Sequence, residues 1–567
     1  MDPNIFFKNF EMLAEAPNGV QKLRELILQL AVMGKLVPQN PEDEPASALI
    51  EKIEVEKKRL VKEGIIKKSR SLTSISESEI PFKTHESWTW TRLGNLGYTQ
   101  TGTTPSKSNP DFFGNFIPFI KPADLSQYGI KYDGEELSEL GLNSGRFIPK
   151  GSVLMVCIGG SIGKTGHVEK NVSCNQQINS ISPYSLINSR FITHALKSKY
   201  FQNQVIQNAS AGTLPIINKS KWEQIPFPLP PLTEQKRIVS KVDELMALCD
   251  QLEARQQKKK ELRSKLNSAA LDKMLSAESQ DEFEENWRRI CENFDLLYDN
   301  PENVEKLRKA VLQLAVKGKL VEQDEGDEPA SVLIEKITAK KDRKQNQLNS
   351  SKVTEILDLK FKLPKTRRSS RIGEFSLLVT DGEHKTPTRI DQTEVPLATA
   401  KNVRDGYLDL ENTDFVSYDT AEKCWKRCNP SHNDILMVCV GATTGRLCLI
   451  KNPINFVLVR SVSLIRVDEK YIYPEYVAIA MKSPFLQSQI WRNVKQSAQP
   501  CLYLNKIQNL FIPLPPLNEQ KRIVERVEQL IGLCDELERK LRKGREESER
   551  MMEAVVRGLL ESAAAEI

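Results

Sequence analysis

Residues 159–165 have the sequence GGSIGKT and follow an apolar segment, as a phosphate-binding loop does. A Walker A loop needs four residues between its two glycines, whereas three separate Gly159 from Gly163. The related sequence GATTGR at 441–446 lacks the Lys-Thr pair altogether. Both sequences therefore predict a tight turn between two strands rather than a nucleotide site, and we do not expect this chain to hydrolyse ATP.

Other catalytic and metal-binding patterns are also incomplete. Residues 109–113, NPDFF, are similar to the Asn-Pro-Pro-Phe loop of adenine methyltransferases, but Asp111 replaces a proline and no glycine motif for AdoMet precedes it. Cys424, Cys428 and His432 have helical spacing, yet no fourth zinc ligand is evident. The five histidines are too scattered to indicate a Ser/His or Cys/His catalytic arrangement. We expect no catalytic site, no metal site and no cofactor in this chain.

The composition indicates a soluble protein with several domains. At roughly 150 residues per domain, 567 residues correspond to about three to five domains. The 39% hydrophobic and 28% charged content excludes collagen-like and disordered classes, and a net charge of +6 is too small to demonstrate nucleic-acid binding. The longest apolar runs, VLMVCI and ILMVCV, are far below the roughly 18 residues that span a bilayer. We therefore expect a cytoplasmic protein without membrane contact, whose ten cysteines are reduced.

The chain is a tandem repeat. The sequence at 22–53 recurs with few changes at 306–337, and PLPPLTEQKRIV at 228–239 recurs as PLPPLNEQKRIV at 513–524. The apolar segments that begin at Leu154 and Leu436 form a third pair. Because all three pairs have nearly the same offset, the chain consists of two copies of one unit, about 1–284 and 285–567.

Each copy begins with a helical hairpin and continues into a mixed α/β region. Leu23, Leu26 and Leu30 recur at helical spacing before Gly34, and Pro45 opens a second helix that ends near residue 63. Roughly 145 residues rich in glycine, proline and short apolar runs follow, which is typical of strands bounded by turns. The phrase PLPP then forces extended backbone before a long helix.

The two long helices carry matching heptad patterns. We expect Thr233 and Asn518 to be their N-caps, with Glu234 and Glu519 in the first turns. The pattern predicts a coiled-coil seam between the two helices; an amphipathic helix on a globular core is the alternative. The seam positions are Ile238, Val242, Leu245, Cys249 and Leu252 in the first helix, and Ile523, Val527, Leu530, Cys534, Leu537 and Leu541 in the second.

This layout resembles the specificity (S) subunit of Type I restriction-modification enzymes over nearly the whole chain. The segments IPFPLPPLTEQ at 225–235 and FIPLPPLNEQ at 511–520 match the sequence with which the family's recognition domains end before their long helices. WTWTRLG, ending at Gly94, and RIG, ending at Gly373, match the openings. IPFIKPADL, from residue 117, matches an internal strand, for which VPLATAKNV, from residue 395, is a looser match.

The resemblance implies an α+β protein in which two mixed α/β target-recognition domains form a tandem pseudo-repeat, separated by long helices that pair as an antiparallel coiled coil. It implies recognition of a bipartite duplex DNA target, with one half-site per domain, in phage defence. It also implies two methyltransferase (M) subunits, which bind AdoMet, and restriction (R) subunits, which use ATP and Mg. The expected segments are 1–65 (helical), 86–232 (first recognition domain), 233–345 (central helical), 370–516 (second recognition domain) and 517–567 (long helix).

Candidate DNA contacts follow from side-chain chemistry and loop context. Arg, Lys, Asn and Gln read base edges, while Ser, Thr and further basic residues hold the backbone; polar surface loops without DNA contacts are the alternative. The first recognition domain offers Thr103, Thr104, Lys107, Lys121, Ser161, Lys164, Gln176 and Gln177. The second offers Lys385, Thr386, Thr388, Arg389, Lys401, Asn402, Arg404, Thr443, Thr444, Arg446 and Arg460.

Two other functions compete with this interpretation. One is a free-standing tandem DNA-binding protein that recruits no enzyme, and the other is a catalytic fusion. The near-identical segments AVMGKLV and AVKGKLV in the two copies favour two identical partner chains, which a lone binder does not require. The target sequence itself depends on side-chain placement that the sequence does not give.

Overall fold

The computed structural model describes residues 14–68, 70–126, 129–210, 214–342, 361, 363–452, 455–495 and 499–565. It divides into two compact units, of which the first combines Met1–Lys260 with Gly544–Ile567 and the second is Glu261–Lys543. Residues 1–13 and 343–345 of the predicted helical segments lie outside the described part. No helix among the described residues is both long and apolar enough to cross a membrane.

The first unit contains the helices α1 to α7 and eleven strands in its described part, together with residues 544–565 of the second long helix. The helices are α1 (Gly19–Val32), α2 (Ala46–Lys62), α3 (Glu139–Ser144), α4 (Ser189–Lys197), α5 (Lys199–Asn208), α6 (Lys219–Glu223) and the start of α7 (Leu232–Ser276). The strands are β1 (Thr89–Arg92), β2 (Gly97–Thr101), β3 (Phe113–Ile120), β4 (Leu125–Ser126), β5 (Gly129–Ile130), β6 (Glu136–Leu137), β7 (Val153–Val156), β8 (Thr165–His167), β9 (Ser173–Cys174), β10 (Ile178–Pro183) and β11 (Pro226–Leu229).

The second unit has a similar order, preceded by two further helices. Its further helices are α8 (Gln280–Glu292), α9 (Phe294–Leu297), α10 (Pro301–Lys317), α11 (Ala330–Asp342), α12 (Ile372–Phe375), α13 (Tyr418–Trp425), α14 (Pro474–Lys482), α15 (Pro484–Asn493), α16 (Leu504–Gln508) and the start of α17 (Leu517–Ala565). Its strands are β12 (Arg368–Arg371), β13 (Ser376–Asp381), β14 (Val395–Ala398), β15 (Asp414–Val416), β16 (Ile435–Val438), β17 (Leu447–Leu449), β18 (Val457–Leu458), β19 (Val462–Val467) and β20 (Phe511–Leu514).

The two units share three sheets of the same topology, which confirms the predicted α+β tandem repeat, and the first unit has an additional β4-β5 pair. In the first, β2-β10-β7-β8 form an antiparallel sheet, and β3 lies between antiparallel β6 and parallel β9. In the second, β13-β19-β16-β17 and β15-β14-β18 have the same arrangement. A two-stranded ladder, β1-β11 or β12-β20, joins the first and last strands of each mixed α/β region.

In the first unit, α1 lies between the two long helices. Arg24 pairs with Asp250 (2.6 Å) and Glu253 (2.8 Å) of α7, and Lys22 pairs with Glu553 of α17 (2.9 Å). The apolar face of α1 is buried in one cluster with residues of both long helices. The predicted hairpin is thus present, and its first helix contributes to the core of the long helices.

The contacts of α1 also give the direction of the long helices within this unit. Asn18 hydrogen-bonds Glu549 of α17 (3.3 Å), and Lys22, one turn further along α1, pairs with Glu553 of α17. Because the residue numbers increase together, α1 and α17 run parallel. The residue numbers of α7 run in the opposite direction. Gln256 donates to the carbonyl of Ala14 (2.9 Å), whereas Arg24, further along α1, pairs with the lower-numbered Asp250 and Glu253. The parts of α7 and α17 in this unit therefore run antiparallel, as predicted.

In the second unit, α10 takes the place of α1. Arg308 pairs with Asp535 of α17 (2.5 Å), and the Lys306 ammonium donates to the hydroxyls of Ser264 (2.8 Å) and Ser268 (2.9 Å) of α7. The first-helix seam residues are all buried in the cluster that contains α1. Those of the second helix pack in clusters that contain α10. In each unit the hairpin helix therefore packs with the seam residues of the long helix, a partner that the heptad pattern did not predict.

The predicted N-caps are wrong. The long helices begin at Leu232 and Leu517, so Thr233 and Asn518 lie inside the first turn. The carbonyl of the preceding proline, Pro231, already accepts a helical hydrogen bond from the amide of residue 235 (2.9 Å). Thr233 instead donates to Asp43 of the hairpin (2.5 Å), and Asn518 makes the equivalent bond to Asp327 (3.0 Å).

Candidate nucleic-acid interface

In the first unit, the loops at one end of the four-stranded sheet converge. Antiparallel pairing brings the end of β2, the start of β10, the end of β7 and the start of β8 to the same side of the sheet. The end of β3 joins them through its parallel ladder with β9. We call these loops, residues 102–112, 121–126, 157–164 and 174–177, the first reading edge.

Backbone hydrogen bonds fix these loops against one another. The amide of Thr103 donates to the carbonyl of Cys174 (3.0 Å), and the amide of Asn175 donates to the carbonyl of Ile120 (3.1 Å). Gly102 is essential to this contact, because a Cβ at that position would lie 2.1 Å from the carbonyl oxygen of Asn175. The first reading edge is therefore a continuous backbone surface assembled from loops that are distant in sequence.

The predicted contact residues of the first half lie on this edge. Thr104 hydrogen-bonds Gln176, and Gln177 accepts a hydrogen bond from Asn175 (3.0 Å). Lys121 pairs with Glu135 (2.7 Å). The remaining members are Thr103 and Ser161, which are half-buried, and Lys107 and Lys164, which are exposed. The structure thus brings the eight predicted residues together at the first reading edge.

The turn between β7 and β8 confirms the strand-turn-strand interpretation of GGSIGKT. Gly159 and Gly163 have φ of 93° and 89°, a left-handed conformation that favours glycine. Gln202 of α5 donates to the carbonyls of Gly163 (2.9 Å) and Leu196 (2.6 Å) and so anchors the turn to a helix. At the equivalent turn of the second unit, the amide of Gln487 donates to Gly445 (3.0 Å).

The second unit has an equivalent second reading edge, formed by residues 382–389, 399–409, 439–446 and 458–461. Gly382 corresponds to Gly102, because a Cβ there would lie 2.2 Å from the carbonyl oxygen of Leu458. The amide of Arg460 donates to the carbonyl of Glu383 (3.0 Å), which ties the loop before β19 to the loop after β13. Both recognition regions therefore present the same set of strand ends.

Ion pairs hold several cations of the second reading edge. The Nε of Arg389 lies 3.2 Å from Asp414, which also lies 3.9 Å from the ammonium of Lys401. The Nε of Arg404 donates to Asp409 (3.3 Å). The other predicted members are Lys385, Thr386, Thr388 and Arg460, which are exposed, and Thr443 and Arg446, which are half-buried.

Two predicted contact residues require correction because they are buried. Asn402 is 2% exposed; its carbonyl oxygen accepts from the amide and hydroxyl of Thr399, and its amide donates to the carbonyl of Asp409 (2.9 Å). Thr444 is 3% exposed and donates to the carbonyl of Gly441 (2.7 Å). Both side chains shape the loops that carry other candidates and are not available to DNA.

One cluster at this edge was missed in the sequence. Arg427, which follows α13, pairs with Asp381 at the end of β13 (2.5 Å), and its Nη2 lies 2.8 Å from the Nε2 of His384. Its Nε also donates to the carbonyl of Gly382 (3.2 Å). No local pattern indicates this cluster, because Arg427 and Asp381 are 46 residues apart in the sequence.

The other sequence patterns have structural roles. Cys424 and Cys428 are buried in different hydrophobic clusters, and burial raises the pKa of the Cys428 thiol to about 12. Among the residues that the structure describes, no group of His, Cys, Asp and Glu could hold a metal ion. The NPDFF sequence forms the predicted turn, in which the side chain of Asn109 accepts a hydrogen bond from the amide of Asp111 (3.1 Å).

A buried glutamate joins each recognition region to its long helix. Glu234 is 1% exposed and accepts hydrogen bonds from Trp88 Nε1 (3.0 Å) and Gln39 Nε2 (2.7 Å). Burial raises the pKa of its carboxyl above the usual range. At the equivalent position, Glu519 pairs with the buried guanidinium of Arg367 (2.7 Å). The first recognition region is thus held by a carboxylate with neutral partners and the second by an ion pair.

Comparison with known proteins agrees with this architecture. A family model for the Type I restriction modification DNA specificity domain matches residues 85–263 and again 364–544. The specificity subunits of the Escherichia coli Type I restriction enzymes EcoAI and EcoEI are 29% and 28% identical to this chain, over 92% and 93% of it and 90% and 92% of their own lengths. The EcoKI specificity subunit of E. coli K12 is 24% identical over 75% of this chain and 78% of its own length.

Proposed function

The chain belongs to the Type I restriction-modification DNA specificity family, and on this premise we propose that its two reading edges each contact one half of a bipartite duplex DNA target. As in its relatives, its role is that of the specificity subunit, which selects the DNA sequence and does not itself catalyse. The observation that carries the placement of DNA is the duplication of one set of strand-end loops, rich in basic and amide side chains, in both units.

The family role implies methyltransferase and restriction subunits as partners. We propose two M subunits, one for each copy of the hairpin, because the segments 22–53 and 306–337 are nearly identical while the recognition regions differ. AdoMet then belongs to the M subunits, and ATP and Mg belong to the R subunits. A free-standing DNA-binding protein has no need for two such similar surfaces.

Replacement of one recognition region tests the assignment of half-sites. Residues 86–232 are exchanged for the corresponding region of another specificity subunit, and the methylated sequence is mapped after assembly with M subunits. We expect one half-site to change and the other to remain, because the two sets of base contacts are independent.

The reciprocal exchange of residues 370–516 is the matched control and should change the other half-site. If either exchange altered both half-sites, or neither, the assignment of one half-site to each reading edge would be wrong.

A further inference from the structure

Arginines of the second reading edge differ in how their guanidinium groups are held. We propose that Arg389 and Arg404 select guanines in the second half-site. Each donates two parallel hydrogen bonds from its Nη groups while an aspartate contacts its Nε. This inference rests on the proposed function, in which the second reading edge faces DNA. It goes further by naming the bases that this edge requires.

The geometry leaves the forked ends of both arginines available. Asp414 approaches the Nε of Arg389 (3.2 Å), and Asp409 accepts from the Nε of Arg404 (3.3 Å). The contacts that the described residues give to these two arginines are made through Nε. A guanidinium held at Nε keeps its two parallel Nη–H groups for an acceptor pair in front of it. Both side chains are about half exposed, 57% for Arg389 and 45% for Arg404.

Guanine is the base that fits this donor pair. Its O6 and N7 are adjacent acceptors in the major groove, and arginine contacts both at once, whereas adenine places a donor beside its N7. A phosphate also accepts a fork, but phosphate contacts do not need a fixed side-chain direction to contribute affinity. The aspartates lower the net positive charge next to the polyanion, so charge neutralisation alone does not explain their positions.

Arg427 at the same edge provides a contrast. Asp381 and His384 both contact its Nη2, so its fork is occupied, and its Nε donates to the Gly382 carbonyl. We therefore assign it to the support of the loop after β13 and not to base recognition.

The first reading edge offers no such group. It contains no arginine in residues 102–112, 121–126, 157–164 and 174–177, and its charged donors are lysines such as Lys107 and Lys164. A lysine ammonium is a single rotating donor group without the fork. The guanine preference is therefore a property of the second half-site.

Arg389→Lys and Arg404→Lys test the proposal in the complex with M subunits. Each variant keeps the charge and loses the fork. We expect each to relax the requirement for one G·C pair in the second half-site by about 10- to 100-fold in methylation rate ratio, with an unchanged salt dependence. Asp414→Asn and Asp409→Asn should relax the same pairs while total DNA affinity rises, a combination that a merely structural role would not give.

Arg368→Lys is the control, an exposed arginine of β12 that lies outside the second reading edge, and it should leave base selectivity unchanged. Equal relaxation in this control, or relaxation at a pair other than G·C, would overturn the proposal. Arg389→Gln and Arg404→Gln separate the remaining outcomes. If they weaken all sequences uniformly with a shallower salt dependence, the arginines are phosphate contacts and only the guanine assignment fails. If they change neither affinity nor selectivity, the second reading edge does not face DNA and the proposed function itself fails.

Discussion

Glu234 and Glu519 occupy equivalent positions in the two copies, yet their charges are balanced differently. Arg367 neutralises Glu519, whereas Trp88 and Gln39 offer Glu234 only neutral hydrogen bonds. We expect Glu519→Gln to lower the free energy of unfolding by about 3–5 kcal/mol, because it leaves a buried guanidinium without its counter-charge. Glu234→Gln removes an unfavourably buried charge and one hydrogen-bond acceptor, and should change the free energy of unfolding by less than about 1 kcal/mol at pH 7. Urea unfolding of both variants measures the difference.

The pH dependence of the same variants has a defined sign. Since the pKa of Glu234 is raised above 4.5 in the folded protein, its contribution to stability is present at low pH and is lost as the pH rises through the raised value. Glu234→Gln lacks this loss, so its urea midpoint relative to the parent should increase as the pH is raised above 4.5. A relative midpoint that decreases over this range would show that the carboxyl is stabilised in its ionised form.

For individual residues, local chemistry could be predicted from the sequence and long-range contacts could not. Gly159 and Gly163 indicated a turn because the motif spacing was wrong for phosphate and right for a hairpin. Asn402 was assigned to the surface from its polarity alone, and its burial depends on Asp409 in the same folded loop. The Arg427 cluster depends on strand pairing that no neighbouring residue reveals.

The turns at the two reading edges are held in place by helices that lie outside these edges. Gln487 donates to the carbonyls of Gly445 (3.0 Å) and Met481 (2.9 Å), so it links the turn that carries Arg446 to α14. Gln487→Ala should weaken binding to the second half-site by about 3- to 10-fold through loss of turn order, at a stability cost of roughly 1–3 kcal/mol for two hydrogen bonds. DNA affinity measured with each half-site altered in turn reports the effect.

Gln202→Ala is the matched variant in the first unit and should weaken the first half-site instead. Asn203→Ala, on the same helix and exposed, is the control for general helix effects. Equal losses at both half-sites from either glutamine would contradict a local role.

The spacing of apolar residues predicted where the helices lie. It did not predict which helices pack against one another. The hairpins and long helices were evident in leucine spacing, and the heptads correctly marked buried positions such as Val242 and Val527. The heptad pattern does not specify which helix covers the seam, so the place of α1 and α10 beside it was not predicted. The N-caps failed because the tandem prolines already start each helix and leave Thr233 and Asn518 to bind the hairpin.

At the scale of the whole molecule, the chain passes between the two units inside helices, at residue 260 of α7 and residue 543 of α17. We expect the length of these helices to set the spacer in the DNA target. Four helical residues inserted after both positions add about 6 Å of rise and leave a phase error of only about 40°. The methylated target should then prefer a spacer about two base pairs longer, with both half-sites unchanged.

A panel of spacers, methylated by the complex with M subunits, measures this preference. An insertion in one helix only is the control, and it should reduce methylation on every spacer because the antiparallel helices no longer match in length. An active double-insertion variant with the original spacer preference would show that these helices do not determine the distance.

The core of the first unit also includes Met552 and Leu559 from the end of α17, whereas the second unit is one continuous stretch, Glu261–Lys543. On the ribosome, the whole of the second unit is therefore translated before the residues that complete the first. The half that is made first is completed last, because the residues of α17 that pack with α1 are translated after the whole second unit. The two units are thus completed in the reverse of the order in which their synthesis begins.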